Sequence, residues 1–303
     1  MRAVFSGAKR FIDKYSTVVL LLPYALLFSL FIIIPVVAAM GLSFTFFDTI
    51  QRPTFIGLQN YISIFTADPE FFRDVLPKTI MFMIVAGLGG YILSFFLAWT
   101  IAQIPKWPRS IMAIIIYSPT LVGAVMVQQF WRTFFNADHT GWFNHILLSL
   151  NLIDVPQAWI ISADYLMAIT IFVTLFSSMG VGFLAMLAGI LNVNQELYEA
   201  AYIDGVVNRF QEVIYVTIPS ARPQMLFGAV MALVATVNAS NMGVALFGRN
   251  PTVDNSAQMI LPHIDDFGFI RMEMGYAAAL SVVLLIFMRL ISVGAQKAFA
   301  DND

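Results

Sequence analysis

Six long apolar runs dominate this chain, near residues 17–47, 77–104, 110–131, 166–191, 223–247 and 274–295. A hydrocarbon core about 30 Å thick is crossed by about 20 mostly apolar residues in a helix, and each run reaches that length. Lipid offers no water to backbone N–H and C=O groups, so runs of this kind close their hydrogen bonds internally as helices. The expected class is therefore an all-α membrane protein with six transmembrane helices. A mean hydropathy of +0.81, with 28 Phe and 16 Met in 303 residues, lies far outside the soluble range. No internal repeat or low-complexity linker divides the runs, so 1–303 reads as a single membrane domain.

The first run follows Arg2, Lys9, Arg10 and Lys14 and carries Ala38-Ala39-Met40-Gly41, which faintly resembles a signal cleavage site. Its apolar stretch from Val18 to Met40 exceeds the roughly 7–15 residues of a signal core and reads as a retained span. Pro23, Pro35 and Pro119 fall inside runs, where neighbouring helices tolerate a kink. With six spans, the side holding both termini carries Arg2, Lys9, Arg10, Lys14, Lys106, Arg109, Arg209, Arg222, Arg289 and Lys297. The other side carries Arg52, Arg73, Lys78, Arg132, Arg249 and Arg271. Ten bases against six predict cytoplasmic termini and place the polar insert 192–222 in the cytoplasm.

Several function classes are disfavoured by what the runs and loops contain. A net charge of -2 gives no sign of nucleic-acid binding, and the absence of cysteine excludes disulfides, thiol nucleophiles and thiolate metal sites. His139, His145 and His263 are scattered without the spacing of a metal site. An ion-coupled secondary transporter of a small polar solute is the rival reading. It would place ionisable groups at mid-membrane, yet no Asp or Glu lies within a run away from its ends. No phosphate-binding G-x-x-x-x-G-K-[ST] loop is present, so any ATP is handled by another polypeptide.

The insert itself, NQELYEAAYIDGVVNRFQEVIYVTIPSARP from Asn194 to Pro223, predicts a short helix. Asn194 is the candidate N-cap, and Glu196 sits in the first turn, where the helix dipole favours an acid. Leu197, Tyr198, Ala201 and Tyr202 recur along one face, and Gly205 is the natural stop. An amphipathic helix lying on anionic lipid would carry bases on its polar face. This one carries Glu196, Glu199 and Asp204, which favours a protein partner.

Glu199-Ala200-Ala201, Gly205 four residues later, and Val216-Thr217-Ile218-Pro219 together resemble the EAA motif. That motif marks permease subunits of bacterial binding-protein-dependent ABC importers. The interval from Gly205 to Pro219 is one residue longer than the common form, and Val216 and Ile218 replace the usual Ile and Leu. The turn after the helix is therefore expected to differ in shape. Gly57-Leu58-Gln59-Asn60-Tyr61, Trp131 with Phe134-Phe135-Asn136, and Met274-Gly275-Tyr276-Ala277-Ala278 resemble sugar-importing members.

The resemblance implies a type I ABC importer permease fold in a bacterial cytoplasmic membrane. It also implies that Glu199, Ala200, Ala201, Asp204, Gly205 and Pro219 belong to a coupling helix seated in a cytoplasmic ATPase. The implied partners are an ABC ATPase dimer that carries ATP and Mg, a second permease that is commonly a different chain, and an extracytoplasmic solute-binding protein. The implied cargo is a carbohydrate, with no cofactor bound by this chain.

Polar side chains within the runs are the candidates for substrate contact. The fifth run holds Asn238, Ser240 and Asn241, and the fourth holds Ser177 and Ser178. In lipid such groups face a bundle interior or a cavity, where they either join helices or line a pathway. Outside the runs, Trp142, Phe143, Ile146, Leu147 and Leu150 form a helical stripe. It either packs on the spans or docks the binding protein, with Asp265-Asp266 as a second possible contact.

Overall fold

Three interruptions of the helices share one cause. A proline lacks the N–H that a helix needs, and its ring collides with the carbonyl four residues back. Pro35, Pro77 and Pro219 each follow a five-residue π turn, over Ser29–Ile33, Phe71–Val75 and Val213–Thr217. In each case the residue before the proline donates its N–H five residues back: Ile34 to Ser29, Leu76 to Phe71, and Ile218 to Val213. Widening the turn relieves the clash while the helix continues, so these prolines re-aim helices without ending them.

The computed structural model describes residues 17–18 and 20–299. Arg2, Lys9, Arg10 and Lys14, which carry part of the orientation expectation, lie outside the described residues. Leu20–Leu42, Phe71–Ala102, Arg222–Phe247 and Met274–Lys297 are long and apolar enough to cross a membrane. Two further pairs are bent: Lys106–Leu121 with Ala124–Phe134 by 92°, and Ala163–Phe176 with Val181–Leu191 by 43°. Counting each pair as one span gives the six expected from sequence.

The third run departs from expectation, because 110–131 is not a continuous helix with a mild kink at Pro119. Its helix stops at Leu121, Val122 and Gly123 are extended with ψ of 133° and 141°, and the next helix starts at Ala124. Pro119 cannot donate to Ile115, and the Ser118 hydroxyl takes that carbonyl at 2.8 Å instead. Thr120 likewise donates to Tyr117 O at 2.7 Å. The helix ends where Val122 and Gly123 leave the helical region.

The chain forms two compact units. The first comprises 1–64 and 267–283, and in it no residue of the helix Leu20–Leu42 is buried. Behind this helix a small antiparallel hairpin pairs Thr45 with Phe55 and Phe46 with Thr54. Buried Asn60 ties the hairpin to the helix end, its Nδ2 donating to Ser43 O and Thr45 O at 2.9 Å each. Tyr61 adds a bond from its hydroxyl to Ser43 Oγ at 2.7 Å, and Gly275 N donates to Phe47 O at 3.1 Å.

The second unit comprises 65–266 and 284–303 and holds two apolar cores. One gathers Phe82, Trp131, Phe135, Leu166, Val173, Leu246 and Met259; the other gathers Ala98, Ile101, Phe183, Met186 and Ile190. The helix Val181–Leu191 packs closely on Arg222–Ala239 through glycines. A Cβ on Gly182 would sit 3.2 Å from both Cα and O of Gly228, backbone atoms that cannot swing aside. Close approach of this kind replaces the hydrophobic drive that is absent between helices in lipid.

The long connection after Trp131 is organised by one amide. Asn144 is fully buried, and its Nδ2 donates to Asn136 O at 3.0 Å, Asp138 O at 3.2 Å and Gln157 O at 3.0 Å. Its Oδ1 accepts from Gln157 N at 3.0 Å and Trp159 Nε1 at 2.7 Å. The expected stripe on Trp142–Ser149 is thus split, with Phe143 stacked against Phe134 while Trp142, Ile146 and Leu150 remain exposed. The segment leading to Ile260–Asp265 is pinned to Phe71–Ala102 by Lys78 Nζ to Asn255 O at 2.6 Å and Ile260 N to Thr79 Oγ1 at 3.0 Å. At its end His263 Nε2 lies 2.8 Å from Asp68 Oδ2, with both residues buried.

Because Gly182 meets backbone, Gly182→Val is expected to overpack the contact and destabilise the protein by about 1–3 kcal/mol. The measurement is the melting temperature of the purified protein in detergent. Gly41→Val is the control, since a Cβ there meets nothing within 4 Å, and the melting temperature is expected to stay put.

Candidate functional site

The insert folds as its local chemistry dictates. The helix runs Gln195–Ile203, and Asn194 caps it, its Oδ1 accepting from Glu196 N at 3.2 Å. At the far end Gly205 N donates to Tyr202 O at 3.3 Å and Val206 N to Ala201 O at 2.9 Å. These paired bonds are the Schellman closure, which requires a left-handed residue after the C-cap Asp204. Gly205 supplies it at φ +97°, with no atom within 4 Å of where a Cβ would stand. The path to Pro219 is then made of pieces. Asn208 caps the short helix Arg209–Glu212 by accepting from Gln211 N at 2.9 Å, and the π turn Val213–Thr217 follows.

The exposed face is only partly the one periodicity suggested, with Leu197 and Tyr202 exposed. Tyr198 and Ala201 turn partly inward, and the Tyr198 hydroxyl lies 3.2 Å from Thr217 Oγ1. Leu197 stays exposed, but the largest exposed apolar side chains are Ile203 at 87%, Val207 at 79% and Phe210 at 72%. They straddle Gly205, so helical spacing within Gln195–Ile203 could not collect them. Glu199, Ala200, Asp204 and Pro219 are exposed as well, and Gln195 Nε2 reaches Glu199 Oε1 at 3.4 Å. Beside them Ala201, Asp204, Gly205, Gln211 and Tyr215 line an open groove of about 400 Å³.

Sequence reasoning named Tyr202 and Arg209 in other roles and passed over Glu212; the three together hold the insert in place. Tyr202 Oη donates to Glu212 Oε2 at 2.9 Å, and Arg209 Nη1 meets Glu212 Oε1 and Oε2 at 3.0 and 2.9 Å. The bond to Glu212 raises the Tyr202 phenol above its ordinary pKa. Their signal was an Arg and a Glu three apart just beyond the helix stop, a spacing that pairs side chains on a helix.

A second site lies at the break between Ala163–Phe176 and Val181–Leu191. Ser177 ends the first helix, Gly180 is extended at ψ -149°, and the two helices diverge by 43°. Tyr91, Ser94, Ser178, Gly180 and Asn238 contribute to a cleft of about 240 Å³ whose lining carries no charge. Ser178 Oγ bonds Leu175 O at 2.7 Å, while Asn238 is exposed. Ser177 lies in an adjoining cavity of about 70 Å³ with Thr174 and Thr236, its Oγ buried without a hydrogen-bond partner.

The other expected residues go elsewhere. Ser240 is buried and bonds Val237 O at 2.6 Å, and Asn241 Nδ2 reaches Asp265 Oδ2 at 3.2 Å. The structure thus gathers Ser178 and Asn238 in one cleft, seats Ser177 next to it, and leaves Ser240 and Asn241 outside. Tyr91 and Ser94 were missed because each is an isolated polar residue in an apolar run.

Comparison with known proteins bears on both sites. The permease protein YurN of Bacillus subtilis (strain 168), described as a probable ABC transporter permease, is 28% identical over 282 residues, covering 91% of this chain and 93% of its own length. The arabinooligosaccharides transport system permease protein AraP of the same organism is 27% identical over 279 residues, covering 89% and 84%. A chain of a bacterial ABC transporter involved in import of the acidic polysaccharide alginate superposes with a TM-score of 0.78 at 22% identity, covering 96% of this chain and 98% of that one. The model of one family matches residues 90–300, which include the insert and the cleft. This multi-pass membrane chain belongs to the family of binding-protein-dependent transport system inner membrane components.

Proposed function

We propose that the whole chain acts as one permease domain, half of a type I ABC importer that takes up a carbohydrate in a bacterial cytoplasmic membrane. The observation that carries this reading is the helix Gln195–Ile203, closed at both ends and flanked by exposed Ile203, Val207 and Phe210. Exposed apolar groups around a rigid helix suit a groove on another protein. In this reading the insert is cytoplasmic and seats in the ATPase that binds ATP and Mg. Glu199 accepts charge-assisted bonds from that partner, Ala200 allows close approach, and Asp204, Gly205 and Pro219 shape the exit toward Arg222–Phe247. ATP-driven closure of the ATPase dimer then moves a stiff helix, and the displacement reaches the spans.

The cleft supports the cargo assignment. An uncharged lining with a phenol, hydroxyls and an exposed amide suits a neutral, hydroxyl-rich solute, with Asn238 and Ser178 as hydrogen-bonding groups. The oligosaccharide-transporting relative named above points the same way. A second permease completes the pathway, and a solute-binding protein delivers cargo from outside.

The native chain lacks cysteine, so single introduced thiols report without background. With the insert inside, Ile203→Cys is expected to resist an impermeant thiol reagent in intact cells, and Asp138→Cys to react. The reverse pattern refutes the orientation.

Gly205→Val forces a β-branched residue to φ +97° and is expected to leave membrane insertion intact while ATPase recruitment and uptake collapse. Gly205→Asn, which tolerates the left-handed region, is expected to keep most of both. Normal recruitment and uptake in Gly205→Val refute the coupling role.

Asn238→Ala is expected to weaken substrate affinity about 2- to 12-fold, the worth of one net hydrogen bond, with assembly and basal ATP hydrolysis unchanged. Unchanged affinity in uptake assays removes Asn238 from the pathway.

A further inference from the structure

We infer that Tyr202, Glu212 and Arg209 form a brace that fixes the angle between the helix Gln195–Ile203 and the chain leading into Arg222–Phe247, with Glu212 as its positioning residue. The inference rests on the proposed coupling role of that helix and adds what makes it stiff.

A lever is only as rigid as its elbow. The elbow here is Gly205–Asn208, where the backbone turns through a glycine at φ +97° that is held by two backbone bonds and has open space where a Cβ would stand. Glycine has the broadest backbone freedom of any residue, so the turn by itself resists bending poorly. Asn208 and Gln211 order the far side, accepting from Gln211 N at 2.9 Å and Val207 N at 3.0 Å, but neither reaches back to Gln195–Ile203. The apolar groups at the elbow, Ile203, Val207 and Phe210, point outward and do not clamp it.

Two side-chain hydrogen bonds do cross the elbow: Tyr202 Oη to Glu212 Oε2 at 2.9 Å, and Tyr198 Oη with Thr217 Oγ1 at 3.2 Å. The first is the stronger kind, because its acceptor belongs to an ion pair. Glu212 is 5% exposed, and both its carboxylate oxygens are occupied, one by Arg209 and the other by Arg209 and Tyr202. A buried carboxylate strongly resists losing its partners, so bending the elbow at Tyr202 works against desolvation as well as against one bond. Arg209, with its side chain 63% exposed, holds the carboxylate in place from the solvent side. Tyr198 supplies a second, neutral tie one turn earlier. Side-chain packing can slip under load, whereas two directional bonds on successive turns resist both hinge and twist.

The test uses the assembled transporter with its ATPase, second permease and binding protein in lipid vesicles, scoring substrate imported per ATP hydrolysed. Tyr202→Phe keeps the ring and removes the donor; Glu212→Gln keeps the shape and removes the ion pair. Each is expected to lower that ratio about tenfold while ATPase co-purification stays native. Arg209→Lys retains the charge and is expected to stay close to native, whereas Arg209→Ala follows Glu212→Gln.

A further readout needs no transport: amide hydrogen exchange across 201–208 is expected to quicken in Tyr202→Phe, since the Val206 to Ala201 bond opens more often. A native ratio with native exchange in Tyr202→Phe overturns the brace. Loss of ATPase binding in that variant also overturns it, since it would make Tyr202 a docking contact. Gly205→Val run alongside separates the two readings: if it recruits ATPase and transports normally, the coupling role has failed, and if it alone is defective, only the brace has.

Discussion

Every backbone polar group that enters lipid must find its partner within the protein, and this constraint organises the departures from regular helix. Where proline removes a donor, the helix widens by one residue, as before Pro35, Pro77 and Pro219. Where widening does not occur, a hydroxyl steps in, as Ser118 does at Ile115 O. Thr79, Thr170, Thr174 and Thr236 each bond the carbonyl four residues earlier, one residue further back than Ser118 reaches. The break at Ser177–Gly180 belongs to the same economy, since it lines a cavity, where non-helical backbone of a membrane protein is tolerated.

Outside the helices, order comes from single amides that serve several partners. Asn60 gathers the helix end and the hairpin in the first unit, and Asn144 gathers the connection 136–159 in the second. Both are buried with their donors used, the condition under which a buried polar group stabilises. This gives a physical content to two of the stretches that resemble sugar-importing permeases. Asn60 and Tyr61 bind Ser43, and Asn136 supplies the carbonyl that Asn144 takes.

The span count and the capped helix were legible because their signals are local. Apolar length marks a span, and Asn194 and Gly205 mark helix ends by chemistry that needs no tertiary context. What could not be read depended on residues far apart in sequence. Ser240 and Asn238 look alike in the fifth run, yet one turns into its own helix and the other opens to the cleft. Periodicity marked Tyr198 and Tyr202 as apolar contacts, whereas their hydroxyls are spent on Thr217 and Glu212, 19 and 10 residues away. Pro119 suggested a kink, whereas the extended backbone at Val122 and Gly123 makes a 92° break.

That break also bears on the membrane around the protein. Lys106–Leu121 has 16 residues, so it spans about 24 Å at 1.5 Å per residue, short of a hydrocarbon core about 30 Å thick. The following helix turns away by 92° and adds little depth. A stretch this short is matched to a full-thickness bilayer by local thinning, by snorkelling of its flanks or by cover from another subunit, at a fraction of a kcal/mol for each ångström of mismatch. Bilayer thickness becomes a mechanical variable of the transporter. Acyl-chain length, which touches neither the insert nor the cleft, then sets how much elastic stress this helix carries through each cycle.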